Sequence, residues 1–241
     1  MTRTSTRPLP SGRVNRDDAL ALGTLMSFVS VTLMAISTNP VAAAMLAVSI
    51  FYYAVIYTMW LKRSTSQNIV IGGAAGAFPP VIGWAAVTGT MPLEAWALFA
   101  IIFVWTPPHF WALSLVANKD YAKAGVPMLP VVKGAANTRL QVLLYTFLLV
   151  LVSFVPVFLG TGGVIYADLA GVLGLAFIVL SIGLFRSLAG EAEAGAKERK
   201  QALGVFAFSI FYLAAVFAAL IVEHGFGLYF DGPLKAIGIG A

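Results

Sequence analysis

The chain has 241 residues, of which 60% are hydrophobic and 10% charged, with a formal charge of +5 and no cysteine. About a quarter of a soluble domain is charged, so a chain this apolar cannot cover itself with polar surface and must use lipid as part of its solvent. The missing cysteines exclude disulfides, thiolate metal sites and cysteine nucleophiles, and the two histidines exclude an all-histidine metal centre within one chain.

Residues 1–16 hold Arg3, Arg7, Arg13 and Arg16, two prolines and no apolar run. A signal peptide needs an apolar stretch near its start, so this segment is expected to be a cytoplasmic loop. Seven apolar stretches follow, at residues 19–38, 41–60, 69–88, 95–117, 140–160, 164–185 and 203–222. Each is long enough to cross a bilayer as a helix, which takes about 20 residues. Their hydrophobicity is continuous, not alternating, which disfavours a β-barrel. The predicted fold is an all-α polytopic membrane protein: a loop segment at 1–18, a transmembrane domain at 19–222 and a periplasmic tail at 223–241.

Basic residues orient the spans. With the N-terminus inside, the inner loops 1–18, 61–68, 118–139 and 186–202 hold 14 of the 15 lysines and arginines, and the outer side keeps Lys235. Such asymmetry predicts cytoplasmic inner loops and an outer C-terminus; the positive charge therefore reports topology and not a nucleic-acid partner. Two spans are poor as plain lipid-facing helices. The third carries Gly72, Gly73, Gly76, Pro79, Pro80 and Gly83; the Gly72–Gly76 pair predicts a close helix approach. Pro79–Pro80 and, in the fourth span, Pro107–Pro108 should leave carbonyls without partners, which is tolerated around a cavity or in tight packing.

The residues able to carry chemistry lie near the inner ends. Asp120 stands between Lys119 and Lys123 just beyond the fourth span; a carboxylate there suits a divalent cation and lysines suit phosphate oxygens, although a solvated helix end has the same composition. His109 lies inside that span, about 12 Å from its inner end. It could ligate iron, hold a propionate or take up a carbonyl freed by proline. Lys62 and Arg63 end the second span as headgroup anchors, or as phosphate ligands if they share a mouth with Asp120. Glu193 and Lys197 are expected to form a surface helix pair, and loop 186–202 to be structural.

Several segments taken together resemble the heme-farnesylating branch of the UbiA-type prenyltransferase superfamily. They are Met1–Leu9, Tyr57–Arg63, Asn68–Gly89, Trp105–Leu113, Asp120–Val132 and Phe208–Leu213. The resemblance implies a nine-helix bundle around a cavity with a cytoplasmic mouth, in the cell inner membrane, of which the seven spans would be helices three to nine. It implies transfer of farnesyl from farnesyl diphosphate to a vinyl group of heme b, with Mg²⁺ and basic side chains offsetting charge on the leaving diphosphate. Asp120 would then be a metal or diphosphate ligand beside Lys119. Arg3, Arg7, Lys62, Arg63 and Lys123 would be diphosphate contacts, and Asn68 and Tyr121 polar groups at the mouth. His109 would lie on the heme side, with Trp84, Trp105, Phe110 and Trp111 walling the cavity. A heme A synthase or oxidase assembly factor would be a partner. Relatives acting on quinone precursors have a richer acidic motif; here Asp120 stands alone, with Ala124 four residues on. An aromatic-acceptor prenyltransferase and a membrane heme carrier stay open as alternatives.

The same resemblance places the first two helices and the first acidic motif ahead of Met1. The chain as given is therefore expected to show little or no transferase activity. An assay beside an N-terminally extended version tests this, and equal rates refute it.

Overall fold

The computed structural model describes residues 5–228, so Arg3 and Lys235 lie outside it. Among the described residues all regular structure is helical, and seven helical spans are long and apolar enough to cross a membrane. They coincide with the seven apolar stretches of the sequence. The first is α1 (Arg16–Ser37), whose N-cap Asn15 accepts from the Asp17 amide and whose first turn carries Asp17 and Asp18. Both features satisfy the positive end of the helix. Asn39 then caps α2 (Pro40–Phe51), accepting from the Ala42 amide at 3.0 Å. Its amide also donates across to the Ala85 carbonyl at 2.7 Å, which fastens the outer turn.

The second span does not finish as an α-helix. From Tyr52 to Leu61 it is π-helical. The third span is two helices, α3 (Asn68–Ala77) and α4 (Pro79–Thr88), parted at Phe78. Pro79 and Pro80 lack the amide protons that would continue α3, yet suit the first turn of α4. In contrast, α5 (Leu93–Val116) runs unbroken through Pro107 and Pro108. The inner loop after it folds into two short helices, α6 (Asn118–Lys123) and α7 (Leu129–Lys133). The remaining spans are α8 (Ala135–Ser153) with its extension α9 (Val155–Leu159), α10 (Val164–Phe185) and α11 (Ala196–Gly225).

Helix α5 is the axis. It packs on α3, α8 and α11, while α10 closes the far side against α8 and α11, and α1 and α2 lie outboard beside α4. Trp111, Tyr166, Phe177 and Tyr212 are fully buried in this core. The outboard α1 has no buried residue and keeps Leu20, Met26, Phe28 and Ile36 exposed. The tight approach at α3 uses Gly72 and Gly73, not Gly72 and Gly76. A Cβ on Gly72 would come within 2.5 Å of the Tyr57 ring and one on Gly73 within 2.8 Å of Thr106, whereas Gly76 faces open space. The expected Glu193–Lys197 helix pair is absent, because α11 begins at Ala196 and Glu193 precedes it.

Between spans, several buried polar side chains pair with each other or with backbone. Thr146 and Ser181 join α8 to α10 at 3.0 Å. Tyr166 donates to the Ser153 carbonyl at 2.6 Å and Tyr212 to the Ser153 hydroxyl at 2.9 Å, tying α10 and α11 to α8. The fully buried Glu223 of α11 accepts from the amides of Gly163 (2.7 Å) and Tyr166 (2.9 Å), capping α10 from a neighbouring helix. A carboxylate at a helix N-terminus is electrostatically favoured. Glu223→Ala should destabilise the protein by about 3 kcal/mol, since two buried amides lose their acceptor. Glu223→Gln, keeping one acceptor oxygen, should lose less than half of that. Thermal unfolding in detergent measures both, and an unchanged transition for Glu223→Ala would remove the cap from the fold.

Candidate functional site

An open chamber of about 730 Å³ lies where the inner ends of α5 and α6 meet the loop before α11. Its charged lining is Lys119, Asp120, Glu191 and Arg199. Eight of its fifteen lining residues are alanine or glycine, most of them in residues 189–202, so its walls stand back and leave a wide slot. Leu115 and Val116 form the apolar side at the end of α5.

The loop wall is held from behind. Arg139, counted with the inner-loop charges in the sequence, is buried in the first turns of α8. It donates to the Ala189 carbonyl at 2.7 Å and to Glu191 Oε1 at 3.1 Å, the one ion pair among the described residues. Next to it Gly190 has φ +88°, and a Cβ there would come within 2.7 Å of Leu115 and 2.9 Å of Ala135. Only glycine meets both demands, a left-handed backbone and contact with two helices. Glu191 is neutralised by Arg139, which leaves Lys119, Asp120 and Arg199 as the chamber's own charges.

Below the chamber, α5 and α11 are pinned together. Trp105 Nε1 donates to the Ser209 carbonyl at 2.7 Å. His109 Nδ1 lies 2.7 Å from Ser209 Oγ, which itself donates to the Phe206 carbonyl at 2.6 Å. With the hydroxyl proton so used, Nδ1–H is the donor and Nε2 keeps its lone pair. The imidazole stacks between Trp105 (ring centroids 4.2 Å) and Phe206 (4.6 Å), with Phe110 edge-on. His109 is only 7% exposed. Its Nδ1 partner is therefore a hydroxyl on another helix and not a carbonyl freed by Pro107 or Pro108.

The other sequence-selected residues fall in three places. Lys119 and Asp120 line the chamber. Lys62 and Arg63 are exposed just after the π-helical segment, at the same end of the bundle but outside the chamber lining. Tyr121 of α6 is half-buried. Asn68 is buried and donates to the Lys62 carbonyl at 3.2 Å, while its Oδ1 has no partner. Arg7 and Lys123 are exposed, Trp84 and Trp105 half-buried, Phe110 40% exposed and Trp111 fully buried. Arg199 and Glu191 were missed by the sequence reading, which took loop 186–202 as structural. Their one local signal was a basic run at Lys197, Arg199 and Lys200, which is also the signature of an ordinary inner loop.

A divalent cation needs several oxygen ligands. Among the described residues no three histidine, aspartate or glutamate side chains converge, and Asp120 alone does not form such a site. A second, mostly apolar cavity of about 560 Å³ opens between α1, the second span and α3, lined by Gly23, Thr24, Ile50 and Tyr53 among others.

Residues 1–204 match the UbiA prenyltransferase family. The protoheme IX farnesyltransferase of Hyphomonas neptunium is 62% identical over 230 residues, covering 95% of this chain and 72% of the relative. The protoheme IX farnesyltransferase of Caulobacter sp. strain K31 is 54% identical over 248 residues, covering 95% and 72%. That of Maricaulis maris is 55% identical over 241 residues, covering 97% and 73%. No solved structure matches the chain.

The α5–α11 seam sets the depth below the chamber, and its contribution is measurable. Ser209→Ala leaves the His109 Nδ1–H unpaired in a buried site and should cost about 1–3 kcal/mol. Ser209→Thr, which keeps the hydroxyl, should cost less. If detergent melting of Ser209→Ala matches the parent protein, His109 is not anchored there.

Proposed function

The chain belongs to the UbiA prenyltransferase family, and from that premise we propose that it transfers a farnesyl group from farnesyl diphosphate to a vinyl group of protoheme IX. The single observation that carries this reading is the chamber. An otherwise apolar bundle opens at its basic end into a slot that holds Lys119, Asp120 and Arg199. The relatives' names supply the two substrates, and the positive-inside asymmetry supports a chamber facing the cytoplasm from the inner membrane.

The chemistry follows from the charges that develop. The C1–O bond of farnesyl diphosphate breaks, and the negative charge collects on the departing diphosphate. The vinyl π pair attacks C1, leaving a cation on the vinyl carbon next to the porphyrin. Water adds there and releases a proton. Lys119 would stabilise the leaving diphosphate, joined by Lys62, Arg63, Lys123 and Arg7; fixed positive groups act strongly where water is excluded. Tyr121 and Asn68 offer polar atoms at that mouth. Ring faces of Phe110 and Trp105 suit an allylic cation, and apolar walls delay its capture by water. Asp120 would contribute one ligand to a divalent cation, and that cation would offset charge on the leaving diphosphate.

Asp120→Ala should lower the rate of farnesyl-porphyrin formation by roughly 100-fold, the scale of losing one charge-stabilising group at a reacting centre. Mass analysis of the product from heme b and farnesyl diphosphate, with the substitution made in the N-terminally extended version in proteoliposomes, measures it. A rate within twofold of the parent protein would sink the assignment of Asp120.

A further inference from the structure

We infer that Arg199, in the first turn of α11, binds a propionate carboxylate of the porphyrin acceptor and so sets acceptor specificity. The inference rests on the porphyrin reading above and adds to it a residue and a pose. Three observations lead to it. First, the chamber carries Arg199 on one wall and the Lys119–Asp120 pair on the other, and the remaining carboxylate, Glu191, is already held by Arg139. Among the described residues Arg199 has no acidic partner, so its guanidinium is available for a planar, two-oxygen ligand such as a carboxylate.

Second, the walls suit a flat ring. Ala189, Gly190, Ala192 and Ala194 on the loop, with Ala196 and Ala202 on α11, present little beyond backbone and methyl groups. Long side chains at these positions would fill the slot. The backbone of that wall is fixed by the Arg139 bond to the Ala189 carbonyl and by the crowded glycine at 190. The slot is therefore built, and does not depend on a ligand to open it.

Third, the two basic flanks are separated. Lys62 and Arg63 do not line the chamber, whereas Arg199 of α11 does, together with Lys119 and Asp120 of α6. A substrate pair with one diphosphate and one dicarboxylate ring can thus divide: diphosphate toward α6 and the second span, ring carboxylate toward α11. Along α11 the chamber residue Ala202 lies one turn from Phe206, which stacks on His109. A ring held by Arg199 would therefore rest above the His109 box.

The test uses the full chain in nanodiscs of zwitterionic lipid, with protoporphyrin IX and its dimethyl ester as fluorescent probes. The parent protein should bind the diacid more tightly than the ester. Arg199→Gln should weaken diacid binding by about tenfold, the scale of one charge-assisted pair, leave ester binding unchanged and so abolish the discrimination. Arg199→Lys should restore part of it, and binding of a farnesyl diphosphate analogue should be the same in all three proteins. Equal weakening of diacid and ester, discrimination that survives Arg199→Gln, or a parent protein that does not discriminate would each overturn the inference. Product analysis on the same samples keeps the two readings apart. Diacid selectivity without farnesyl-porphyrin formation by the N-terminally extended version as well overturns the transferase proposal alone, and product formation without Arg199-dependent selectivity overturns this one alone.

Discussion

The fold depends on how helices hold together where water does not drive them together. Lipid tails are as apolar as leucine side chains, so close packing and interhelical hydrogen bonds must do the work. Here they are concentrated in a few places. Gly72 and Gly73 let α3 press against Tyr57 and Thr106. Ser209 receives both Trp105 and His109, and Ser153 receives both Tyr166 and Tyr212. Each serine ties α11 to a helix much earlier in the chain. Around them the apolar surface is free to face lipid on every side, as α1 does.

That division explains what the sequence could reveal. Spans depend on local composition, and all seven were legible from hydropathy. The inner loops were legible from arginine and lysine, which respond to the membrane and not to neighbouring helices. Partnerships across the bundle leave no local trace. Gly73 looks no different from Gly76 until Thr106 is known to lie opposite. Arg139 looks like one more loop charge, yet it is buried and supports a loop some fifty residues later, as its bond to Ala189 shows. The Glu193–Lys197 pair looks helical by spacing, but the chain passing Gly190 and Gly195 delays the helix to Ala196.

The candidate site was half legible for the same reason. Lys119 and Asp120 form a contiguous polar segment at a helix end, which pattern alone can flag. Arg199 comes into play only because the last loop folds back over the end of α5, an outcome set by Arg139, Glu191 and the left-handed Gly190. The chamber is thus a joint product of a recognisable segment and an anonymous one. His109 shows the converse. It was conspicuous in sequence as a histidine within a span, and the structure gives it a hydroxyl partner and two stacked rings before any ligand is considered.

The π-helical stretch from Tyr52 to Leu61 has its own consequence. Hydrogen bonds that reach one residue further back place more residues in each turn, so side-chain directions lag steadily behind those of an α-helix of equal length. By Lys62 and Arg63 the lag has become a rotary offset, which decides the compass bearing of both charges around the bundle. A one-residue deletion in this stretch would keep every amino acid that matters and still turn the pair toward a different neighbour.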